Sequence, residues 1–294
     1  MISHIKGQVS TISSAVGLQA RISIKRPGAI PSSGRTTNLS KEKIMTINEI
    51  SQDKTQTSAT FKSIAVFGVG PGLGQAVARR YAQEGYTVIL VARRREPLEL
   101  LAKDLAGAGA TAHVITADLS DIDTIPALVE QIRAKVGHID ALYYAPTPSG
   151  GFVPAANLTP QLAQDFMPLS FYTLQALVQE FLPHMLEQGD GAILTGQGAS
   201  SVRGLPYISG PGPAQAAQRN YLQSLHTEVA GRGVYVGALY IGAAIEHSAF
   251  HTEMERARAA GDPVWEMPIA DPVHLANLLW TMHNTKGQLE ATYP

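Results

Sequence analysis

Residues 64–94 read IAVFGVGPGLGQAVARRYAQEGYTVILVARR, and the order of features in this stretch decides the fold. Ile64 to Phe67 form a short apolar, strand-forming run that meets a glycine-rich turn, and the turn opens into a helical stretch. A second apolar run, Val88 to Val91, ends in arginines. Gly68, Gly72 and Gly74 give the spacing GxxxGxG, with Gly70 as an extra glycine and Leu73 inside the motif. Glycines suit this place because a dinucleotide's phosphates must approach the backbone more closely than a Cβ allows. The first free N–H groups of the following helix then face those phosphates with a partial positive charge. Strand, turn, helix and second strand in this order carry more weight than the glycines alone.

The rest of the composition narrows the class. With 45% hydrophobic residues, 16% charged residues and a formal net charge of −1, the chain reads as a globular protein without a basic face for nucleic acid. It has no cysteine, which excludes disulfides, thiolate zinc sites and cysteine nucleophiles. The longest apolar run, Val234 to Ile245, contains two glycines and is too short to cross a bilayer, so no membrane partner is expected.

Residues 1–60 differ from the rest of the chain. They are rich in Ser, Thr, Gly and Lys/Arg, and no acidic residue precedes Glu42. Two readings stay open: a transit peptide over residues 1–44, or a disordered extension with Met45 as the true start. Neither version has enough apolar periodicity to fold, so the folded domain is expected over 61–294, in the cytoplasm unless the extension acts as an organelle address.

From Phe61 onward, short β-rich runs alternate with helical ones. Strands are expected at Ile64–Phe67, Thr87–Val91, Ala112–Thr116, Ala141–Tyr144, Ala192–Thr195 and Val234–Leu239. Helices are expected at Gln75–Glu84, Pro97–Ala106, Ile122–Val136, Pro160–Glu187 (broken at Pro168 or Pro183) and Ala214–Ala230. This alternation predicts an α/β fold, a single doubly wound parallel sheet of Rossmann type with helices on both faces. Ligands would bind at its carboxyl edge.

On these residues the chain resembles the short-chain dehydrogenase/reductase family over roughly 61–294. GVGPGLG at 68–74 is similar to that family's glycine motif, with Phe67 where a threonine is usual. ADLSD at 117–121 resembles the segment whose aspartate, here Asp118, contacts the adenine. In GHIDALYYAP at 137–146 only Ala145 remains of the family's Asn-Asn-Ala-Gly, and Gly242 falls at the usual Pro-Gly step after the sixth strand. The resemblance implies an oxidoreductase acting on a small-molecule carbonyl or alcohol. The alternative is a non-redox protein of the same fold: a cofactor or ligand sensor, an inactive oligomer partner, or a cyclase or isomerase.

Cofactor choice has its own argument. NAD-preferring sites place a carboxylate at the end of the second strand to hold the ribose 2′-hydroxyl. Here Ala92 is followed by Arg93, Arg94 and Arg95, whose guanidinium groups suit a 2′-phosphate. NADP(H) is therefore expected over NAD(H).

The family's catalytic pattern is a tyrosine, a lysine four residues later, a serine about thirteen residues earlier and an asparagine on a preceding helix. Aligned on that pattern, Pro211 takes the tyrosine position, Gln215 the lysine, Gly198 the serine and Ser170 the asparagine. No Tyr-x-x-x-Lys occurs anywhere in the chain. Gln215 keeps an amide that could bond a ribose hydroxyl. Replacement proton donors are sought in Tyr143 and Tyr144, read as facing the nicotinamide position, and in Tyr207 and His247. Gln197, Ser200, Ser201 and Ser209 are weaker candidates. His247 and His251, four apart, are read as sharing one face of a solvated lid helix, with no metal expected.

The resemblance also implies a homodimer or homotetramer through the fourth and fifth long helices. Leu169, Phe171, Leu174, Leu177, Val178 and Phe181 on one, and Tyr221, Leu222, Leu225 and Val229 on the other, exceed a single core-facing stripe.

Overall fold

Ser63–Phe67 forms β1 with all five side chains buried. Such a run must be covered on both faces, as strands of a parallel sheet are. The computed structural model describes residues 62–148 and 151–294. The readings made for residues 1–60, including the choice between Met1 and Met45, lie outside the described residues.

β1 is flanked by β2 (Thr87–Ala92) and β4 (Ala141–Tyr144). β3 (Ala112–Thr116) lies beyond β2, and β5 (Gly191–Gly198), β6 (Val234–Ile241) and β9 (Glu290–Tyr293) follow β4 in that order. Every pairing in this seven-stranded sheet is parallel. The order reverses between β1 and β4, which opens a crevice at their carboxyl ends where α/β sheets bind ligands. The doubly wound parallel sheet expected from the alternation is the fold observed.

Alternate side chains of each strand feed two cores. Ala65 and Phe67 join Ile89, Val91 and the apolar stripes of α3 (Ile125–Val136), α5 (Thr173–Gln188) and α6 (Gly212–Val229). Ile64 and Val66 join Val88, Leu90 and the stripes of α1 (Leu73–Gln83), α2 (Arg95–Gly107) and α8 (Pro272–Thr285).

One expectation is sharpened and two need correction. The stretch 160–187 is broken at Pro168, one of the two expected places, and not at Pro183. It is α4 (Pro160–Met167), a π turn over Pro168–Tyr172, and α5. The wide turn begins at Pro168, and the Thr173 N–H reaches back to the Pro168 carbonyl, while Pro183 sits inside α5 without ending it. Second, His247 and His251 do not share a helical face. His247 lies before α7 (Ala249–Ala260) with φ 64°, and Ser248 caps that helix through the His251 N–H. Third, the expected elements end at the sixth strand, whereas β7 (Ala244–Ile245), α7, β8 (Ile269–Ala270), α8 and β9 come after it. Asp271, accepting from the Val273 N–H at 2.8 Å, and Pro272 at the first helical position are readable start signals for α8.

Glu290 bolts β9 to the sheet. It accepts two hydrogen bonds from Arg219 of α6 at 2.8 and 2.7 Å, one from Gln223 at 2.9 Å and one from the Tyr240 hydroxyl at 3.2 Å.

A pH dependence arises from the α1–α8 contact. His283 is 8% exposed, its Nδ1 lies 2.8 Å from the Tyr81 hydroxyl, and its ring packs against Tyr81, Tyr86 and Trp280. Burial lowers its pKa to about 4 from the ordinary 6.5. The unfolded chain therefore binds a proton that the folded chain refuses between those values. The stabilisation is complete above pH 6.5 and is lost as pH falls toward 4, about 3 kcal/mol in all. In urea melts at pH 7 and pH 4, the wild type should lose that much more stability than His283→Gln. Equal losses in the two proteins would remove His283 as the cause.

Candidate active site

The glycine turn between β1 and α1 is shaped by two close approaches. Gly68 has φ +92°, and a Cβ there would stand 2.7 Å from the backbone of Pro146 at the exit of β4. A Cβ on Gly74 would stand 2.5 Å from the Gly68 carbonyl oxygen and 2.9 Å from Val69 Cα. Gly70 faces open space, with nothing within 4 Å of its Cβ position. Gly72 caps α1 and lies against Ile245 and Ser248 of the segment leading into α7. Leu73 begins α1 and is buried, its side chain near Gly196 of β5. The turn thus combines a locked frame with one open backbone position at a helix N-terminus.

At the end of β2, Arg93, Arg94 and Arg95 are all exposed. Arg95 pairs with Glu99 at 3.4 Å, whereas neither Arg93 nor Arg94 belongs to a salt bridge among the described residues. Asp118, just after β3, accepts from the Ser120 N–H at 3.0 Å and the Ser120 hydroxyl at 2.7 Å. Those hydrogen bonds, aided by the charge of Arg93, hold its carboxyl below the usual range. Ala145 leaves β4 with its N–H on the Phe67 carbonyl, and the Gly242 N–H bonds the Tyr293 carbonyl.

Beside the switch point lies a cavity of about 10 Å³, room for roughly one water. Tyr144, Ser170, Gln197, Gln215 and Gln218 supply its polar lining, and no charged side chain borders it. Ser170 lies in the π turn, and its carbonyl accepts from Gln218 Nε2 at 2.5 Å. Three buried atoms around the cavity have no partner: Ser170 Oγ, Gln197 Oε1 and Gln218 Oε1. Orphaned buried polar atoms are costly and mark places where a ligand or water completes the bonding. A Cβ on Gly198 would lie 3.4 Å from both Gln215 Oε1 and Ser200 Oγ, so the positions aligned as serine and lysine are neighbours in space. Pro211 precedes α6 and its carbonyl accepts from the Gln215 N–H. Gln218 is a site residue that sequence reasoning misses. It comes one helical turn after Gln215, and that spacing is the available signal.

The proton-donor candidates are dispersed. Tyr143 is fully buried, its hydroxyl without a partner and close under Gly196, and burial raises its pKa far above the phenol range. Tyr143 therefore does not face the crevice as expected. The Tyr144 hydroxyl donates to the Leu169 carbonyl at 2.5 Å, and burial raises its pKa likewise. Tyr207 is 66% exposed with φ 64°, a left-handed backbone that is rare for a bulky side chain. His247 lies at the surface before α7. The lysines among the described residues stand toward the amino edge: Lys62 and Lys286 both bind Asp190, and Lys103 and Lys135 lie late in α2 and α3. No cluster of three metal-ligating side chains occurs among the described residues.

Residues 62–259 match the family described as short chain dehydrogenase. A fatty acyl-CoA reductase of Mycobacterium tuberculosis is 32% identical over 188 residues, 62% of each chain. A second fatty acyl-CoA reductase, from Acinetobacter baylyi, is 29% identical over 187 residues, 61% of each chain. The chain thus spans less than two thirds of the length of these curated relatives. Among solved structures, the L-sorbose reductase of Gluconobacter frateurii complexed with NADPH and L-sorbose superposes with a TM-score of 0.70 at 21% identity, covering 79% of this chain and 95% of that one. Actinorhodin polyketide ketoreductase with NADPH gives 0.69 at 21% identity and the same coverage. At these identities the structural likeness shows the fold.

Proposed function

The chain belongs to the short-chain dehydrogenase family, and we propose that it acts there as an NADP(H)-binding oxidoreductase on a small-molecule carbonyl or alcohol through a non-standard site. One observation carries the cofactor reading: a tight glycine frame with an open position at Gly70 stands beside two arginines outside any salt bridge among the described residues. The residues fit the group. The turn and the first N–H groups of α1 would hold the phosphates, Arg93 and Arg94 the 2′-phosphate, Asp118 the adenine side, and Gln215 a ribose hydroxyl. The cofactor, when bound, supplies hydride chemistry. The protein's part is to orient the substrate oxygen with the polar atoms left without partners: the Ser170 hydroxyl would donate to a carbonyl oxygen, and Gln197 Oε1 and Gln218 Oε1 would accept from an alcohol hydroxyl. The reductases among the relatives, and the NADPH named with two structural neighbours, support this reading.

The oligomer remains part of the proposal, as a homodimer or homotetramer. Leu174, Leu177, Val178, Phe181, Leu222, Leu225 and Val229 are used in the intramolecular core, and Leu169 and Tyr221 pack partly against it, so Phe171 and Tyr172 are what this region chiefly offers a partner. A cytoplasmic setting is also proposed, and no described helix is long and apolar enough to cross a membrane.

Calorimetry tests the cofactor assignment. NADP(H) should bind more tightly than NAD(H), and Arg93→Ala should weaken NADP(H) about tenfold or more while leaving NAD(H) nearly unchanged, since a charge-assisted hydrogen bond contributes roughly 1.5–3 kcal/mol. Equal affinity for both cofactors in the wild type would overturn the preference.

A further inference from the structure

Two histidines meet at the amino edge of the sheet, the edge opposite the small cavity. His138 lies between α3 and β4, and His184 stands near the end of α5. Their ring centroids are 4.3 Å apart, with the planes inclined at 39°. Beside them opens a cavity of about 630 Å³, bordered also by Arg133, Glu180 and Glu187. His184 Nε2 is buried and has no hydrogen-bond partner. A buried ring nitrogen in that state marks a place where another group completes the bonding.

The surrounding charges point to a cation. Arg133 is committed to Glu130 at 2.9 Å and to Glu180 at 3.1 Å, one positive charge between two negative ones. Glu187 is exposed and belongs to no salt bridge among the described residues. It comes three residues after His184, so the two side chains share a face of α5. That helix has no basic side chain in its last turn, where the negative end of its dipole favours positive charge. Asp140, held by the Ser63 N–H at 2.6 Å, sets its Oδ1 3.7 Å from His138 Nε2. A carboxylate behind one nitrogen of a metal-bound imidazole fixes the tautomer and leaves the other nitrogen as donor.

Ring spacing and donor type narrow the cation. Metal–nitrogen bonds of about 2.1 Å put two imidazoles on one ion roughly 4.5–5 Å apart between centroids. The observed pair lies within about an ångström of that spacing, so small ring rotations suffice. Imidazole suits Zn²⁺, Cu²⁺ and Ni²⁺, whereas Mg²⁺ and Ca²⁺ prefer oxygen shells. No three ligating side chains already converge among the described residues. The third donor is therefore the Glu187 carboxylate after rotation of its exposed side chain, with water completing the shell.

We propose that His138, His184 and Glu187 form a site for a divalent transition-metal ion of the zinc class, which ties the end of α5 to the loop between α3 and β4. The site stands apart from the glycine turn and the small cavity, so it does not rest on the cofactor reading.

The test titrates Zn²⁺ into the full chain after dialysis against a chelator, by calorimetry and by thermal melting. One ion per chain should bind, and Mg²⁺ in large excess should not displace it. At a Zn²⁺ concentration about a hundred times its Kd, the melting temperature should rise by about 5 °C or more. His138→Gln and His184→Gln should each weaken Zn²⁺ at least tenfold, as should Glu187→Gln, while His283→Gln binds like the wild type. Bound Co²⁺ should show the visible absorption of a four-coordinate ion, and Glu187→Gln should change that spectrum. The metal-free melting temperature identifies any histidine variant that fails to fold, and the surface variant Glu187→Gln then decides the question. Absence of saturable Zn²⁺ binding would overturn the proposal, as would variants that bind Zn²⁺ as tightly as the wild type.

Discussion

With NADPH and simple aldehydes or ketones, the protein is expected to oxidise cofactor about 10²–10⁴-fold more slowly than an enzyme with a positioned phenol and lysine, the usual contribution of general acid–base catalysis. A phenol with its ordinary pKa near ~10 needs a nearby cation to favour phenolate at working pH. None of the tyrosines is followed four residues later by lysine. In space the contrast is sharper. Burial raises the pKa of both Tyr143 and Tyr144, and Lys62 and Lys286 are engaged with Asp190 at the opposite edge of the sheet. The cavity is lined by amides, a serine hydroxyl and Tyr144, whose hydroxyl proton is committed to the Leu169 carbonyl and whose pKa is raised by burial. Installing Tyr at 211 and Lys at 215 together should not restore the rate, because Gly198 and Ser170 also stand where the family has polar catalytic groups. The measurement is NADPH absorbance decay across a panel of carbonyl compounds. Brisk turnover by the wild type would refute this account of the site. Tyr207→Phe and His247→Gln would then be compared, since these are the surface candidates whose removal should leave cofactor binding intact. No turnover alongside tight NADP(H) binding would instead favour the non-redox alternative.

What could be read from the sequence, and what could not, divides along physical lines. β1, β2, β4 and β6 were legible because a strand buried on both faces must be a continuous apolar run, and SIAVF, TVILVA and VYVGALYI have few other uses. β9 was not, because EATY is short and polar, and its place depends on Glu290 finding Arg219 and Tyr240 far away in the chain. The glycine turn was legible as a motif, but which glycine is locked and which is open required the backbone of Pro146 and Gly68. Tyr143 was misjudged for a simple reason, whereas Tyr144 does line the cavity. Adjacent strand residues point to opposite faces, so Tyr143 enters one core, away from the cavity, and Tyr144 the other, where it reaches the cavity with its hydroxyl proton given to the Leu169 carbonyl. The π turn after Pro168 has no sequence signature beyond the proline. It is nevertheless what presents the Ser170 carbonyl to Gln218.

Gly74→Val is expected to destabilise the protein by about 3 kcal/mol and to reduce NADP(H) affinity by more than about tenfold, whereas Gly70→Ala should leave the fold intact. The two glycines lie in one turn, so the difference isolates their roles. At position 74 the first atoms met by a side chain are all backbone: Gly68 oxygen at 2.5 Å, Val69 Cα at 2.9 Å and Gly68 carbon at 3.2 Å. Backbone cannot swing aside as a side chain can, so the turn must open, and β1 and α1 must part where Val66, Val77 and Leu73 pack. At position 70 a methyl group meets nothing within 4 Å, so the folded protein has no reason to notice it. Bound phosphate would notice it, because the space that a methyl group fills there is the space a close backbone approach requires. Melting temperature should therefore fall by several degrees for Gly74→Val and stay within about a degree of wild type for Gly70→Ala. Both variants should lose cofactor affinity in calorimetry. If Gly70→Ala bound NADP(H) as tightly as wild type, the open position would not be where phosphate sits, and the cofactor's place on this turn would have to be redrawn.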